Sequence, residues 1–554
     1  MRGAGTRAVV LLIAAVVVVS CGGSGVRESS TSLPRVRADP EHVVRADPEH
    51  VKTLSGVLEG LAGNYAKLGE SSPGPQDILD YNVGALWKQG IEGTGTTIAL
   101  IEGWDDSRIN DVIKTFDRKY GLPDPEIQTI YPSDGGHLPA QCPPGMVALG
   151  DYGSCDAWRG ELELDVEAAH LIAPYAKILI SATPADSEIT DDAASQVAPP
   201  EMMQALEYIA DHHLADVISI SDATGESTYS HGKAQIVGQE PGLLSAAAAG
   251  IPVLVATGDC GVVQNLPVAS WQCGDTTTMP DTGVWDDSAW VTAVGGSVPQ
   301  FDSSGRRLGA DTVWHDGMFA EGAGCSLVYP RPAYQNRVQS ITRSPMRCVP
   351  DIAMDAREGT SEAAPLLAGV LALAAQLNHA SVGPLNAVLY DVLGPRGAPA
   401  GVVDIVAGDN SVTRPPAPLP GFRATTGFDV ASGWGTIDAS KFVPQLVTAS
   451  QAQNPHDSLR AQARTALMRL QHNLQLTSTN LAPGGSTYVF ATGFLPQHPV
   501  EVDIDDRKIT TITATTTGSL SYLLDSSQLK LASGTHTLAV KSMLLTASTT
   551  LQTQ

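Results

Sequence analysis

Short apolar runs and helical stretches alternate along much of the chain. The apolar runs are TTIALIE at 96–102, KILISA at 177–182, DVISIS at 216–221 and IPVLVATG at 251–258. They are rich in β-branched residues and almost free of polar ones, which is typical of strands buried on both faces. Helical patterns lie between them, at 161–172, 201–213 and 240–249. This alternation predicts an α/β fold, a doubly wound parallel sheet with flanking helices and a functional site at the carboxyl ends of its strands.

The pattern changes near residue 474. From there the chain contains Thr/Val-rich runs separated by Gly, Pro and Asp, which is typical of short antiparallel strands. We expect an all-β, immunoglobulin-like sandwich over 474–554. A polar helical connector over 446–473 joins it to the α/β domain.

The N-terminus has the features of an export signal. Arg2 and Arg7 precede a short apolar stretch that ends in Val-Val-Ser-Cys at Cys21, as in a secretory signal peptide. Those last four residues resemble a bacterial lipobox, which implies cleavage after residue 20 and lipidation of Cys21. A transmembrane anchor is the alternative, but the apolar run is short for a span. We therefore predict a signal peptide over 1–20 and a lipidated tether over 21–77, with a repeated VRADPEHV and a short helical segment.

This N-terminus predicts an exported protein, lipid-anchored at the outer face of the bacterial cytoplasmic membrane or in the cell envelope. The length of 554 residues indicates two or more domains. The formal charge is −25, and no Lys/Arg-rich stripe is present to neutralise phosphates. Nucleic acid is therefore excluded as a partner.

Six cysteines remain beyond Cys21, and in an exported chain they predict three disulfides. Sequential pairing is the simplest of the possible arrangements. It would join Cys142 to Cys155, Cys260 to Cys273, and Cys325 to Cys348. The chain contains no CxxC motif, so a cysteine zinc site is not expected.

Ser361 stands in Gly-Thr-Ser-Glu, immediately before an apolar helical run. A serine at such a helix start is either an N-cap or a nucleophile. A nucleophile needs a base to take its proton, and a triad of the subtilisin kind would use a histidine in a His-Gly-Thr-His setting. None of the thirteen histidines has this setting.

The helix before APYAKILI offers a different base. At about 100° per residue, Glu163, Glu167 and His170 share a polar face, whereas Glu161 and Asp165 lie on an apolar one. Two carboxylates one turn apart on an apolar face repel each other, and repulsion with desolvation raises at least one pKa. A carboxylate with a raised pKa is a usable general base in mildly acidic water.

At this point the chain resembles the sedolisins, serine-carboxyl peptidases with a subtilisin-like fold in which Glu and Asp replace His and Asp. The resemblance covers about 78–445, and the motifs follow the family order: YNVGALWKQGIEGTGTTIALIE, GELELDVEAAHLIAPYAKI, VLVATGDCG, WVTAVGGS, DTVWHDG, PDIAMDA and GTSEAAP. It implies a peptidase domain over 78–445. Ser361 would be the nucleophile and Glu161 its general base, and Asp165 would orient Glu161 and share its proton.

The resemblance also gives a role to Asp259, in ATGDCG, as the residue that stabilises the oxyanion. Only a protonated aspartate can donate a hydrogen bond to an oxyanion, so this role implies highest activity in acid. The alternative is an ordinary turn aspartate. Glu102, at the end of IALIE, matches a glutamate that extends the carboxylate network in some relatives.

A calcium site near the end of the domain is a further implication. The matching positions are Asp404, Ile405, Thr425, Gly427 and Asp429. Carboxylate and carbonyl oxygens from two loops suit Ca²⁺. Thr425 replaces a usual glycine, at little cost because only its backbone carbonyl would coordinate. The alternative is a pair of unrelated loop aspartates.

Three features depart from the family pattern. The stretch between Asp351 and Ser361 lacks the longer loop and strand of relatives. Only about 55 residues separate Cys21 from the peptidase domain, where relatives carry a large prodomain. Asp222 follows VISIS at a place where relatives have an aromatic residue or Tyr-Gly.

Two functions remain open. One is a monomeric, membrane-tethered endopeptidase, anchored at Cys21, that hydrolyses proteins or peptides at acidic pH through an acyl-enzyme. The other is a catalytically impaired lipoprotein that serves as a binding or scaffold protein. The joint presence of all four catalytic matches favours the peptidase.

Overall fold

The structure is a computed structural model. It describes residues 47–62, 73–131, 155–183, 201–222, 224–229, 233–264, 273, 280–300, 311–317, 319–411, 418–453, 458–471, 474–494, 499–515, 519–527, 529, 531–542 and 546–553. The predicted lipobox, which ends at Cys21, lies outside the described residues. So does Cys142, and with it the predicted Cys142–Cys155 disulfide.

The strands of the α/β domain are β1 (Thr97–Gly103), β2 (Ile127–Ile130), β3 (Lys177–Thr183), β4 (Val217–Ile220), β5 (Val253–Ala256), β6 (Thr292–Val298), β7 (Thr312–Val313), β8 (Gly324–Pro330), β9 (Met346–Val349), β10 (Ile352–Asp355), β11 (Val402–Val403) and β12 (Thr436–Ile437). Within the described residues, seven strands lie parallel in the order β2-β3-β1-β4-β5-β6-β10, and β7 pairs antiparallel with β6. The predicted parallel sheet is therefore confirmed. Because its strands run in one direction, their carboxyl ends meet at one edge.

The helices are α1 (Pro48–Ala62), α2 (Pro75–Asp80), α3 (Gly84–Trp87), α4 (Ile109–Tyr120), α5 (Cys155–Ile172), α6 (Glu201–Asp211), α7 (Lys233–Val237), α8 (Glu240–Ala249), α9 (Gln339–Thr342), α10 (Thr360–Asn378), α11 (Asn386–Val388), α12 (Gly394–Arg396), α13 (Ala439–Ala452) and α14 (Leu459–Gln471). Of the described helices, α10 is long and apolar enough to cross a membrane, and it lies buried in the domain core. Its apolar composition is explained by this burial on nearly every side.

Helices α5 and α10 pack directly against each other. Gly369 makes this close approach possible, because a side-chain Cβ there would lie 2.9 Å from the carbonyl oxygen of Ala169 and 2.6 Å from Cβ of Ile172. The helix that carries Glu161 is thereby held beside the helix that begins at Ser361.

Within the described residues there are two disulfides, Cys260–Cys273 and Cys325–Cys348. Both are among the sequential pairs that the cysteine order predicts. The first follows β5 directly, and the second joins β8 to β9.

The C-terminal strands are β13 (Gln475–Leu476), β14 (Asn480–Leu481), β15 (Ser486–Thr492), β16 (Pro499–Ile504), β17 (Arg507–Thr513), β18 (Ser519–Asp525), β19 (Gly534–Lys541) and β20 (Thr546–Thr553). In the described residues they form a three-stranded sheet, β13-β15-β18, and a five-stranded sheet, β14-β20-β19-β16-β17. The two sheets share an apolar core that includes Val489, Val502 and Leu538. This architecture is consistent with the predicted β-sandwich.

The polar face predicted for α5 is only partly correct. His170 is fully buried, and its Nε2 lies 2.9 Å from Oδ1 of Asp117 on α4. Glu163 is half-buried and pairs with Arg108 at 3.2 Å. Helix α4 packs on α5 and covers the C-terminal end of the Glu163–His170 face, which the helical wheel predicts to be exposed to solvent.

Candidate active site

Ser361 lies in the first turn of α10 and is partly exposed. Gly359, and not Ser361, is the N-cap residue, with a φ of 94° that favours glycine. The turn is closed by hydrogen bonds from the Gly359 N–H to the Ala356 carbonyl (3.0 Å) and from the Glu362 N–H to the Gly359 carbonyl (3.1 Å). The serine hydroxyl is consequently not used to cap the helix.

The Ser361 side chain lies beside Glu161 on α5. The pKa of Glu161 is raised to about 7, because desolvation by burial and the charge of Asp259 outweigh the lowering by the Ser361 side chain. Its Oε1 atom is buried and has no hydrogen-bond partner within the described residues. A hydroxyl in contact with a carboxyl group of this pKa is the arrangement that general-base activation requires.

Asp165, one turn further along α5, is fully buried and extends the carboxyl network inward. Ser221 Oγ donates to its Oδ2 at 2.8 Å, and Glu102 is a second side-chain partner. Burial raises the pKa of Asp165 well above its usual value, and the charge of Glu161 raises it further. Burial also raises the pKa of Glu102, as do the charges of Asp165 and Glu161. Burial and the charge of Glu161 thus raise the pKa of both members of the Glu102–Asp165 pair.

Asp259 follows β5 and is partly exposed. Its Oδ1 accepts hydrogen bonds from the N–H and the hydroxyl of Thr360, both at 2.9 Å. Burial raises the pKa of Asp259, the bonds from Thr360 lower it, and the charge of Asp316 raises it. The strand end that carries Asp259 is thus joined to the residue before Ser361.

The structure therefore brings together the four residues that the family resemblance implies: Ser361, Glu161, Asp165 and Asp259. Sequence reasoning missed Ser221 and Thr360. Besides Asp165, the Ser221 hydroxyl also contacts the carbonyl oxygen of Ser361, at 3.2 Å. The only available signal was position, because polar residues that follow an apolar strand lie at the edge where the site forms.

The predicted calcium ligands lie close together in two loops. Asp404 Oδ2 accepts the Gly427 N–H at 2.9 Å, while its buried Oδ1 has no hydrogen-bond partner within the described residues. Asp429 accepts the N–H of Thr425 at 2.5 Å and both the N–H and hydroxyl of Ser432 at 2.9 Å. The carboxyl groups of Asp404 and Asp429 therefore lie on either side of Thr425–Gly427, and Asp404 keeps a buried oxygen that no donor within the described residues uses. Such a set of oxygen atoms fits a hard cation.

A second acidic cluster was not predicted. Asp77, Asp355 and Glu362 are fully buried, and each places a carboxylate oxygen within 4.8 Å of the others. Arg357 pairs with Asp355 at 2.5 Å and with Asp77 at 3.4 Å. This cluster already contains its own cation, unlike the predicted calcium site.

Comparisons with known proteins agree with the geometry. No family model matches the chain. The chain is 26% identical over 416 residues to kumamolisin of Bacillus sp. (strain MN-32), covering 70% of this chain and 67% of that protein. It is 26% identical over 382 residues to sedolisin of Pseudomonas sp. (strain 101), covering 62% and 57%. It is 25% identical over 336 residues to xanthomonalisin of Xanthomonas sp. (strain T-22), covering 53% and 39%.

A solved structure shares the fold. Pseudomonas sedolisin, a serine-carboxyl proteinase complexed with pseudo-iodotyrostatin, superposes with a TM-score of 0.51 at 24% identity, covering 64% of this chain and 94% of that one. The chain spans about two thirds of the length of kumamolisin and less of the other two relatives. The chain is therefore similar in sequence and in fold to the sedolisins, a family of serine-type peptidases, as the order of its motifs predicts.

Proposed function

We propose that this protein is a serine-carboxyl endopeptidase that cleaves proteins or peptides through an acyl-enzyme on Ser361. The single observation that carries the proposal is the proximity of the Ser361 side chain to the Glu161 carboxyl group, whose pKa it lowers. A serine hydroxyl is a weak nucleophile unless an adjacent base removes its proton. Glu161 is the carboxyl group within reach of it.

In the proposed reaction, ionised Glu161 takes the hydroxyl proton as Ser361 Oγ attacks the carbonyl carbon of the scissile peptide bond. Glu161 then returns the proton to the leaving amine, which breaks the C–N bond and leaves an ester on Ser361. Water, activated by the same carboxylate, hydrolyses the ester. Asp165, held by Ser221 and Glu102, is expected to orient Glu161 and share its proton.

Asp259 would stabilise the oxyanion of the tetrahedral intermediate. Its Oδ1 is occupied by two bonds from Thr360, so Oδ2 is the oxygen left to carry a proton. A neutral carboxyl group donates to an oxyanion, whereas a carboxylate repels it. The raised pKa of Asp259 supports this role and an optimum on the acid side of neutrality.

The proposed setting is the exported, lipid-anchored one that the N-terminus predicts. The two disulfides support it, since disulfides persist in oxidising compartments. Substitution of Cys21 by Ser should move the protein from the membrane fraction to the soluble one. Retention in the membrane fraction would contradict a lipid anchor at this residue.

We also propose a structural Ca²⁺ site. The carboxylates of Asp404 and Asp429, with the backbone carbonyls of Ile405, Thr425 and Gly427, would hold the ion. When bound, the ion would supply charge compensation and rigidity at the end of the peptidase domain, away from bond cleavage. The buried, unused Oδ1 of Asp404 supports this assignment.

The decisive test is hydrolysis of an unfolded protein by residues 22–554 with intact disulfides, between about pH 3 and 7, where shifted carboxyl groups titrate. Cleavage with an acid-side optimum, absent in Ser361→Ala, is expected. A folded, calcium-loaded sample that neither cleaves nor reacts at Ser361 would contradict the proposal. That result would favour the alternative of a catalytically impaired binding or scaffold lipoprotein, in line with the direct connection from β10 to α10 over 356–359.

A further inference from the structure

A buried group of three carboxyl side chains lies behind the nucleophile, outside the residues assigned above to bond cleavage. Glu362 follows Ser361 in α10, Asp355 ends β10, and Asp77 lies in α2. All three are fully buried, with oxygens within 4.8 Å of one another. We refer to these residues as the acidic brace.

The brace is bonded directly to the turn that presents Ser361. Oε2 of Glu362 accepts the N–H of Glu358 at 3.1 Å, which spans the turn from one side to the other. Residues 356–359 alone connect β10 to α10. A shift of this short turn would move the Ser361 hydroxyl away from Glu161.

The other members of the brace fix the two flanking elements. Arg357 Nε donates to Asp355 Oδ2 at 2.8 Å, and its Nη2 reaches Asp77 Oδ1 at 3.4 Å. The Asp355 N–H donates to the hydroxyl of buried Tyr81 at 2.5 Å, and Asp77 Oδ2 accepts the Gly74 N–H at 2.9 Å. Strand β10, the turn and α2 therefore meet at one set of carboxyl groups.

Among the described residues, the brace buries an excess of negative charge when it is fully ionised. Its three acids meet one cation, Arg357, and lie beside the Tyr81 hydroxyl, so a proton within the cluster is favoured. The carboxyl oxygens of Asp77 and Asp355 lie within 4.8 Å of each other, so two ionised groups here would repel at close range. Burial raises the pKa of Asp77 well above its usual value, and the charges of Asp355 and Glu362 raise it further.

We infer that Glu362 is a positioning residue for the Ser361 nucleophile, and that it holds the 356–360 turn through a carboxyl cluster with Asp77 and Asp355 that must keep a proton. Loss of that proton leaves repelling carboxylates behind the nucleophile and loosens the turn. Acid dependence then arises at a second place, separate from Asp259. The catalytic consequence rests on the proposed function, whereas the ordering of the turn does not.

The test compares Glu362→Ala with Glu362→Gln in the full chain, using thermal unfolding to confirm folding. The glutamine oxygen still accepts the Glu358 N–H, and alanine offers no acceptor. In Glu362→Ala we expect faster amide hydrogen exchange in peptides covering 356–364 and a kcat lower by about 10- to 100-fold, with KM changed by less than about threefold. Glu362→Gln should restore both the protection and most of the kcat.

Asp77→Asn tests the proton itself. Asparagine keeps a hydrogen-bond donor toward Asp355 and cannot ionise, so protection of 356–364 should stay constant between about pH 5 and 8. The parent protein should lose protection over part of that interval. This variant decides the question if Glu362→Ala fails to fold.

The outcomes separate the two proposals. The brace is overturned if the parent and Glu362→Ala show equal exchange protection. It is also overturned if Asp77→Asn loses protection with pH as the parent does. Both results hold whether or not the protein is a peptidase. Lost protection in Glu362→Ala, in a parent that cleaves nothing and does not react at Ser361, supports the brace and overturns the proposed function.

Discussion

Asp259 and Thr360 are joined by two hydrogen bonds that end on the same carboxylate oxygen, Oδ1, each at 2.9 Å. The Gly258 N–H completes the contact by donating to the Thr360 hydroxyl at 3.0 Å. A strand end and a helix start from distant parts of the chain are thus fixed to each other one residue before Ser361. Gly359 makes room for this contact, since a Cβ there would lie 2.7 Å from Asp259 Oδ2.

Asp259→Asn should change the pH profile more than the peak rate. The parent loses its oxyanion donor as the pH rises through the raised pKa of Asp259, while an asparagine amide donates at every pH. We therefore expect the fall of kcat/KM on the alkaline side to weaken in Asp259→Asn. Asp259→Ala, which has no donor, should lose about 10²–10³ in kcat at all pH values. An unchanged alkaline limb in Asp259→Asn would show that another group controls it.

Glu161→Gln should remove most of the activity without disturbing the fold. Glutamine keeps a hydrogen-bond partner for Ser361 and cannot accept its proton, so kcat should fall by about 10²–10⁴. Glu163→Gln, two residues away and paired with Arg108, is the matched control and should stay within about twofold of the parent. Steady-state kinetics at the pH optimum measures both. Comparable losses in the two variants would show that Glu161 acts only through local structure.

Glu207→Gln should stabilise the protein at neutral pH. Glu207 is 1% exposed, and burial raises its pKa to about 8, with a further increase from the charge of Asp211. In the unfolded chain this group ionises near pH 4. The folded state therefore binds an extra proton between about pH 4 and 8, and its stability falls as the pH rises through that window.

We expect Glu207→Gln to gain about 1–3 kcal/mol at pH 7, because one pKa unit corresponds to about 1.4 kcal/mol. The gain should vanish below about pH 4, where both states hold the proton. Denaturant unfolding at pH 3.5 and 7 measures it, with exposed Glu59→Gln as a control that changes stability by less than about 0.5 kcal/mol. A gain of equal size at both pH values would rule out the proton as its cause.

The two described disulfides should differ in their effect on activity. They close segments of similar length, with sequence separations of 13 and 23, so removing either by Cys→Ser substitution should cost about 3 kcal/mol of stability. Cys260 directly follows Asp259, whereas Cys325–Cys348 joins β8 to β9. We therefore expect a lower kcat on loss of Cys260–Cys273 and a nearly normal kcat in the other variant below its melting temperature. The reverse order would contradict a supporting role at Asp259.

Calcium should raise the melting temperature through Asp404. Chelation is expected to lower the melting temperature of the parent by several degrees, with recovery on adding Ca²⁺ but not Mg²⁺, because Mg²⁺ demands smaller, more regular geometry. Asp404→Asn should abolish this response. Asp77→Asn is the matched control, since its cluster already contains Arg357, and it should respond as the parent does. A response lost in Asp77→Asn and kept in Asp404→Asn would move the ion to the acidic brace.

Much of the fold could be predicted from the sequence, because a strand buried on both faces is a continuous apolar run that can be recognised locally. The run at 96–102 became β1 at Thr97–Gly103, and 240–249 became α8 at its predicted bounds. Strands covered on both sides must be apolar throughout, so their positions can be read without knowing their neighbours. The acidic pair on an apolar face of α5 was visible for the same reason, since its helix defines its own faces.

The sequence by itself determined four of the seven parallel strands, β1, β3, β4 and β5, and the order of the motifs, and it predicted a carboxyl base for Ser361. The tertiary structure decided what each polar group contacts: His170 with Asp117, Ser221 with Asp165, Thr360 with Asp259, and Glu362 with Asp77 and Asp355. A period of 3.6 or 2 residues fixes the direction of a side chain within its own element. Whether that direction ends in water or against another buried carboxyl group depends on which distant element packs there.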